Sequence, residues 1–258
     1  MQKLTIKNRK NQNIVVVVDE VENAKGLAFV LHGLGGSKEQ PQIQSTAEVF
    51  RESGYSTIVF DATNTFGESD GNYEDATVTN YYEDLTDVIG WAKTQHVYRE
   101  PFFLSGHSLG GMAIALYAEA HPEEIKGLAP MSTVISGELS MQTPKHKNIA
   151  EEWKKTGWRI TERNSKPGAF KKLKWSHMED RMKYDILKDI ETLTMPVLII
   201  VGDQDEVALP EHQKMLFEKL PGKKEFHVIK NAPHTFVEKQ HLDEIAEIFR
   251  KWIAKVGE

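Results

Sequence analysis

Two stretches of the chain place a serine in the spacing Gly-x-Ser-x-Gly: Gly67-Glu68-Ser69-Asp70-Gly71 and Gly106-His107-Ser108-Leu109-Gly110. A serine hydroxyl becomes a nucleophile only when a base takes its proton and a further group orients that base. The spacing carries this chemistry where a strand runs straight into a sharp turn and then a helix, which stands the hydroxyl above a sheet. Phe102-Phe103-Leu104-Ser105 before the second copy, and Gly111-Met112-Ala113-Ile114-Ala115-Leu116 after it, meet that need. Ser69 lies between Asn64-Thr65-Phe66 and Asn72-Tyr73-Glu74, which read as loop on both sides. Ser108 is therefore the candidate nucleophile, and Ser69 a loop residue.

In a strand–turn–helix setting the partners follow in the order serine, acid, histidine. Residues 197–201 read as a strand ending in Gly202-Asp203-Gln204-Asp205-Glu206, and residues 226–229 as one running into Asn231-Ala232-Pro233-His234-Thr235. Both loops follow strand ends, where open α/β sheets place their sites. His234 is the candidate base. Asp203 and Asp205 both stand as acids, because residues two apart project alike in an extended chain. His107 is expected to point into the fold and His32 to shape its loop. The other histidines, among them His96, His121 and His241, are expected at the surface. Attack on a carbonyl also creates an oxyanion, and removing one of its donors costs about 10²–10³ in rate. The backbone N–H of Leu109 at the helix start supplies one donor. The N–H of Leu34, within His32-Gly33-Leu34-Gly35-Gly36, supplies the second.

These residues need a scaffold of alternating strands and helices. Short apolar runs at residues 4–6, 14–18, 26–31, 55–60, 101–105, 126–131, 197–201 and 225–229 read as strands. Leu85, Val88, Ile89 and Ala92 recur at helical spacing within residues 81–94, and residues 112–120, 211–220 and 242–253 read as further helices. Runs of this kind alternating with amphipathic helices imply a mainly parallel sheet covered on both faces. Residues 132–194 break the alternation. A structureless loop of that length is improbable in a compact domain, so a small, mainly helical insert is expected. Between residues 136 and 192 it holds 13 basic against 9 acidic residues, in a chain of 258 residues with net charge −6. Trp153, Trp158 and Trp175 fall inside it and are candidates for contact with substrate.

With these motifs in place the sequence resembles the α/β-hydrolase family over nearly its whole length. The resemblance rests on His32-Gly33, Gly67-Glu68-Ser69-Asp70-Gly71, the Gly106 to Gly111 turn, Gly202 to Asp205, and His234. It implies that the acid is the third residue after the strand-terminal glycine, which is Asp205. It also implies an α/β-hydrolase core of residues 1–131 and 195–258, with residues 132–194 as a cap inserted between strands six and seven. Family members often carry an Arg-Gly step before the Gly-x-Ser loop; here Thr63 and Asn64 occupy that region, and any role of that arginine is missing. The sequence is most similar to bacterial carboxylesterases of the cinnamoyl/feruloyl-esterase and monoacylglycerol-lipase-like kinds. Relatives with an aspartate nucleophile, with cysteine, or with Trp after the serine fit less well.

The expected activity is a serine esterase on short-chain or aromatic acyl esters. The same three residues on a C–C or amide bond, acyl transfer, or a binding protein without turnover stand as alternatives. The absence of cysteine excludes thiolate metal sites and disulfides. No metal or organic cofactor is expected. An acidic balance argues against nucleic acid as the partner, and the apolar runs are far shorter than the ~20 residues a bilayer span needs. The reading is a cytoplasmic monomer or homodimer acting on a small-molecule ester.

Overall fold

The computed structural model describes residues 1–163 and 166–257. Eight strands form one sheet in the order β1-β2-β4-β3-β5-β6-β9-β10. These are β1 Gln2–Lys7, β2 Asn13–Asp19, β3 Gly26–Leu31, β4 Tyr55–Phe60, β5 Phe102–His107, β6 Ile125–Met131, β9 Val197–Gly202 and β10 Lys224–Ile229. β1 and β2 pair antiparallel, β2 meets β4 antiparallel, and every other neighbour in the sheet is parallel. Every residue of β3, β4, β5 and β9 is buried. That is why these strands read as unbroken apolar runs: helices cover both of their faces.

α1 (Pro41–Glu52) and α9 (Lys239–Gly257) pack on one face, around Phe50, Phe103, Phe249 and Trp252. α2 (Val78–Ala92), α3 (Leu109–Ala120) and α8 (Pro210–Lys219) cover the other, around Phe102, Leu104, Met112 and Leu216. The strand order reverses at β3: the chain leaves it for β4 on one side and comes back as β5 on the other. The loops after β3 and β5 therefore part from each other above the sheet and leave a crevice between them. Ser108 and the glycine-rich loop stand at that crevice.

Between β6 and β9 lie α4 (Gly137–Gln142), α5 (Pro144–Lys147), α6 (Ala150–Thr156), β7 (Trp158–Arg163), β8 (Lys166–Lys174) and α7 (Ser176–Arg181). The short helices match the expectation for this segment, but the antiparallel ribbon of β7 and β8 does not appear in the periodicity. Its outer face carries exposed Ile160 and Phe170 among lysines, so burial does not sort its two faces cleanly. What holds it is local: Leu173 is buried, and the Trp153 indole N–H donates to the Leu173 carbonyl at 3.0 Å.

The histidine expectation needs correction. His96 is exposed, but His146, His177 and His241 are buried. His241 falls on the same stripe of α9 as Ile245, Phe249 and Trp252, so helical spacing alone carries it inward.

Glu119, on α3, sets a pH limit on this packing. One of its carboxyl oxygens is buried without a hydrogen-bond partner. Burial first, then Asp189, Asp185 and Glu191, pushes its pKa from 4.5 up to about 8. A raised folded-state pKa gives stability that is full below about 4.5 and is lost as pH climbs through about 8. Glu119→Gln is expected to raise the melting temperature at pH 8.5 by about 5 °C and to change it little at pH 5. Thermal unfolding of both proteins at the two pH values checks this; an equal difference at both would contradict it.

Candidate active site

Ser108 follows the last residue of β5 and precedes the first of α3, with φ 55° and ψ −114°. A positive φ in a residue with a Cβ is strained by about 1–3 kcal/mol and persists only where the surroundings dictate it. Here they do. The Ser108 N–H donates to the Met131 carbonyl at 2.9 Å, while its own carbonyl accepts from Met112 N–H at 3.2 Å. The turn also needs bare backbone on both sides. A Cβ on Gly106 would lie 2.5 Å from the Gly110 carbonyl oxygen, and one on Gly110 would lie 2.4 Å from that of His32.

The structure brings His234 and Asp205 to this hydroxyl. His234 Nε2 lies 2.9 Å from Ser108 Oγ, and His234 Nδ1 lies 2.8 and 3.0 Å from the two Asp205 carboxylate oxygens. Asp205 is buried and accepts the N–H groups of Val207 and Ala208, each at 2.8 Å. Burial works to raise its pKa, but the bonds from His234 and these two amides outweigh it, and the net shift is downward. The carboxylate is thus held ionised against the imidazole, which makes Nδ1 the protonated nitrogen and leaves Nε2 to accept from Ser108. Asp203 stays exposed at the surface. The chain turns between the two acids, with Asp205 N–H on the Gly202 carbonyl at 3.2 Å, so they do not project alike.

The loop after β3 is fixed from three directions. The Gly33 carbonyl accepts from the Gly36 N–H (2.9 Å), the His32 Nδ1–H (2.8 Å) and the Tyr81 hydroxyl (2.9 Å). His32 Nε2 in turn accepts the Ala62 N–H, so the buried ring is a neutral brace for the loop. Gly35, at φ 66°, closes the turn. Neither the Leu34 nor the Leu109 N–H has a hydrogen-bond acceptor among the described residues.

Three further side chains support the site, and of these only His107, beside the elbow glycine, carries a local signal in the sequence. His107 points into the fold, and its Nε2–H donates to the His234 carbonyl at 2.8 Å. Burial, then the nearby His234, pushes its pKa down to about 3, so it serves as a neutral prop under the His234 loop. Gln213, wholly buried, donates to the Thr133 carbonyl at 2.7 Å beside the elbow. Lys38 is buried with its ammonium 2.8 Å from Asp61 and 2.6 Å from Glu68. Burial alone would lower its pKa; the two carboxylates outweigh this and hold it above the ordinary lysine range. Ser69, the serine of the other motif, donates to the Asp61 carbonyl and accepts the Val15 N–H. It is a structural tie.

A cavity of about 650 Å³ opens at His234, with Leu34, Phe66, Lys145, Lys171 and Val207 among its walls. The three tryptophans are not among its lining residues. Trp153 is buried within the segment between β6 and β9 and meets Trp175 edge-on at 5.5 Å, while Trp158 is exposed under Lys174.

The sequence model of a family described as serine aminopeptidase, S33 matches residues 22–167. A protein of Escherichia coli, the uncharacterized 31.7 kDa protein in the traX-finO intergenic region, is 28% identical over 89% of this chain and 90% of its own. The mitochondrial palmitoyl-protein thioesterase ABHD10 of Mus musculus is 27% identical over 62% of this chain and 52% of its own. Among solved structures, Est1E from Butyrivibrio proteoclasticus with bound ferulic acid superposes with a TM-score of 0.82, at 22% identity, covering 98% of both chains. The monoacylglycerol lipase of Paleococcus ferrophilus gives a TM-score of 0.74 at 23% identity, covering 94% of this chain and 99% of its own.

Lys38 offers a direct test of how the site is held. Replacing it by Met strands Asp61 without its cation, and breaking a buried pair costs about 3–5 kcal/mol. Lys38→Met is expected to lose about 3 kcal/mol in urea unfolding. A loss below about 1 kcal/mol would place the pair among ordinary surface ion pairs.

Proposed function

The chain belongs to the serine aminopeptidase S33 family of α/β-hydrolase fold, and from that premise we propose that it is a serine hydrolase of carboxylic esters. Ser108 is the nucleophile, His234 the general base, Asp205 the orienting acid, and the N–H groups of Leu34 and Leu109 the oxyanion donors. The observation that carries this reading is the unbroken chain of hydrogen bonds from Asp205 through His234 to Ser108.

The reaction runs in two halves. His234 Nε2 takes the Ser108 proton as Oγ bonds to the ester carbonyl carbon, and the carbonyl oxygen gathers charge in front of the two unengaged N–H groups. Collapse of that tetrahedral species breaks the bond to the alcohol oxygen, which leaves with the proton from His234. Water then gives its proton to the same nitrogen, attacks the acyl carbon, and releases the acid as Ser108 recovers its hydrogen. Asp205 remains a carboxylate throughout and stabilises the imidazolium that forms between steps.

The family description raises cleavage of a peptide from its amino end as a second reading. An aminopeptidase must hold the substrate's ammonium, which calls for a carboxylate close to the nucleophile. The spaces beside His234 are walled by Lys145 and Lys171, with Glu206 as the one acid, next to Lys145. Two cations against one carboxylate favour the ester reading. Residues 132–194 act as the cap over the core of residues 1–131 and 195–258 and bound the space for the acyl group. Esterase and lipase structures among the solved neighbours, one with ferulic acid bound, support esters with aromatic or short acyl groups as the substrate class.

Initial rates on p-nitrophenyl esters of increasing chain length and on methyl ferulate test the assignment. Ser108→Ala is expected to lower kcat/KM by about 10⁴ or more, and Asp205→Asn by about 10⁴ with substrate affinity nearly kept. Turnover that survives Ser108→Ala would overturn the nucleophile.

A further inference from the structure

The segment between β6 and β9 pairs Lys174 with Glu74 and Asp75 and Lys183 with Asp180, but holds two arginines, Arg159 and Arg181, that no carboxylate among the described residues answers. Arg181, at the end of α7, is only 4% exposed. Its Nη2 donates to His177 Nε2 at 2.6 Å, and its Nε has no hydrogen-bond partner among the described residues. His177 has its other nitrogen on the Ala76 carbonyl at 2.8 Å, and burial together with Arg181 holds that ring far below the ordinary histidine range. The guanidinium thus rests on a neutral ring. The adjacent carboxylate, Asp180, is taken by the Thr79 N–H and hydroxyl and by Lys183.

Two more cations converge on the same place. Trp153 stacks over His177 with 6.3 Å between ring centroids, and the Arg159 guanidinium lies 5.1 Å from the Trp153 ring. Lys145, on α5, lines the cavity with His234. Among the described residues neither Arg159 nor Lys145 forms an ion pair. Lys145 and Arg181 are both held below their ordinary ranges, by burial first and by Arg159 next. This group is in contact with the reaction centre's own loop. Tyr73 packs in one cluster with Trp153 and Leu34, and a Cβ on Gly35 would lie 2.7 Å from the Tyr73 ring. A buried charge without a partner costs several kcal/mol. Lys145 lines the cavity with Glu206 on one side of it, whereas Arg159 and Arg181 have no carboxylate among the described residues, and an anion completes them.

We propose that Arg181, Arg159 and Lys145 bind a carboxylate carried by the substrate, so that the preferred esters bear a free acid group beyond the scissile bond. A guanidinium pairs with a planar carboxylate through two parallel N–H bonds, a geometry that a lysine-only site lacks. This rests on the ester-hydrolase reading and narrows its substrate to acidic esters such as half-esters of dicarboxylic acids. It also gives the segment's basic residues a role that a solvated surface would not.

The test pairs the p-nitrophenyl monoesters of adipic and suberic acid with the same molecules capped as methyl esters. For the wild type, kcat/KM is expected to favour the free acid by about tenfold or more, the size of a charged hydrogen bond. Arg159→Gln, at a partly exposed position, and Lys145→Gln, at an exposed one, are expected to bring that ratio down by about fivefold or more. Arg181→Lys, which keeps the charge but not the fork, is expected to lower it as well. Equal rates on acid and capped ester, or a ratio untouched by all three variants, would overturn the inference while leaving the esterase intact. Calorimetric titration with free adipate separates the two claims. If no ester is turned over, adipate binding that Arg159→Gln removes still supports the anion site, and no adipate binding overturns it.

Discussion

The left-handed backbone of Ser108 is the constraint from which the rest of the site follows. A serine at φ 55° turns the chain so sharply that β5 delivers the hydroxyl above the sheet instead of along it. The strain is balanced by bonds that only this topology supplies: the N–H to β6, the carbonyl to the first turn of α3, and glycine backbones pressed together at Gly106 and Gly110. β3 and β5 run parallel while the chain leaves them for opposite sides of the sheet, so the loop that carries Leu34 and the turn that carries Leu109 border one crevice, with Gly33 pressed against Ser108. His234 arrives from the far strand, β10, on a loop propped by His107.

Much of this was legible in the chain because burial leaves a strong imprint. Strands covered on both faces must be apolar throughout, and β3, β4, β5 and β9 read so. The choice of Ser108 over Ser69 rested on flanking residues that make a strand and a helix, and Ser69 turns out to be bonded into the scaffold by both its donor and its acceptor. Asp203 and Asp205 were equivalent by spacing because that argument assumes an extended chain. The Gly202 turn removes the equivalence; spacing does not announce it, and it is the family resemblance, counting three residues from Gly202, that points to Asp205.

What stayed hidden is tertiary in origin. Lys38 meets Asp61 and Glu68 across the loops after β3 and β4, and no local window links a lysine to a carboxylate 23 residues away. The ribbon of β7 and β8 is tied by one indole and one buried leucine, too little apolar content to set a period of two. Of the three tryptophans offered as candidates for substrate contact, Trp153 and Trp175 pack in the small core of that segment, while Trp158 is exposed. Composition registers only a slight basic excess there; it does not show that Arg181 is buried while Lys145 stands exposed at the cavity by His234.

The central claim is that Ser108 Oγ is made nucleophilic by His234. Labelling with an alkyl fluorophosphonate followed by peptide mass mapping tests it without choosing a substrate. The account predicts a single adduct on the peptide containing Ser108, and its loss when His234 is replaced by Ala. Labelling that persists at full rate in His234→Ala, or an adduct on Ser69, would contradict it.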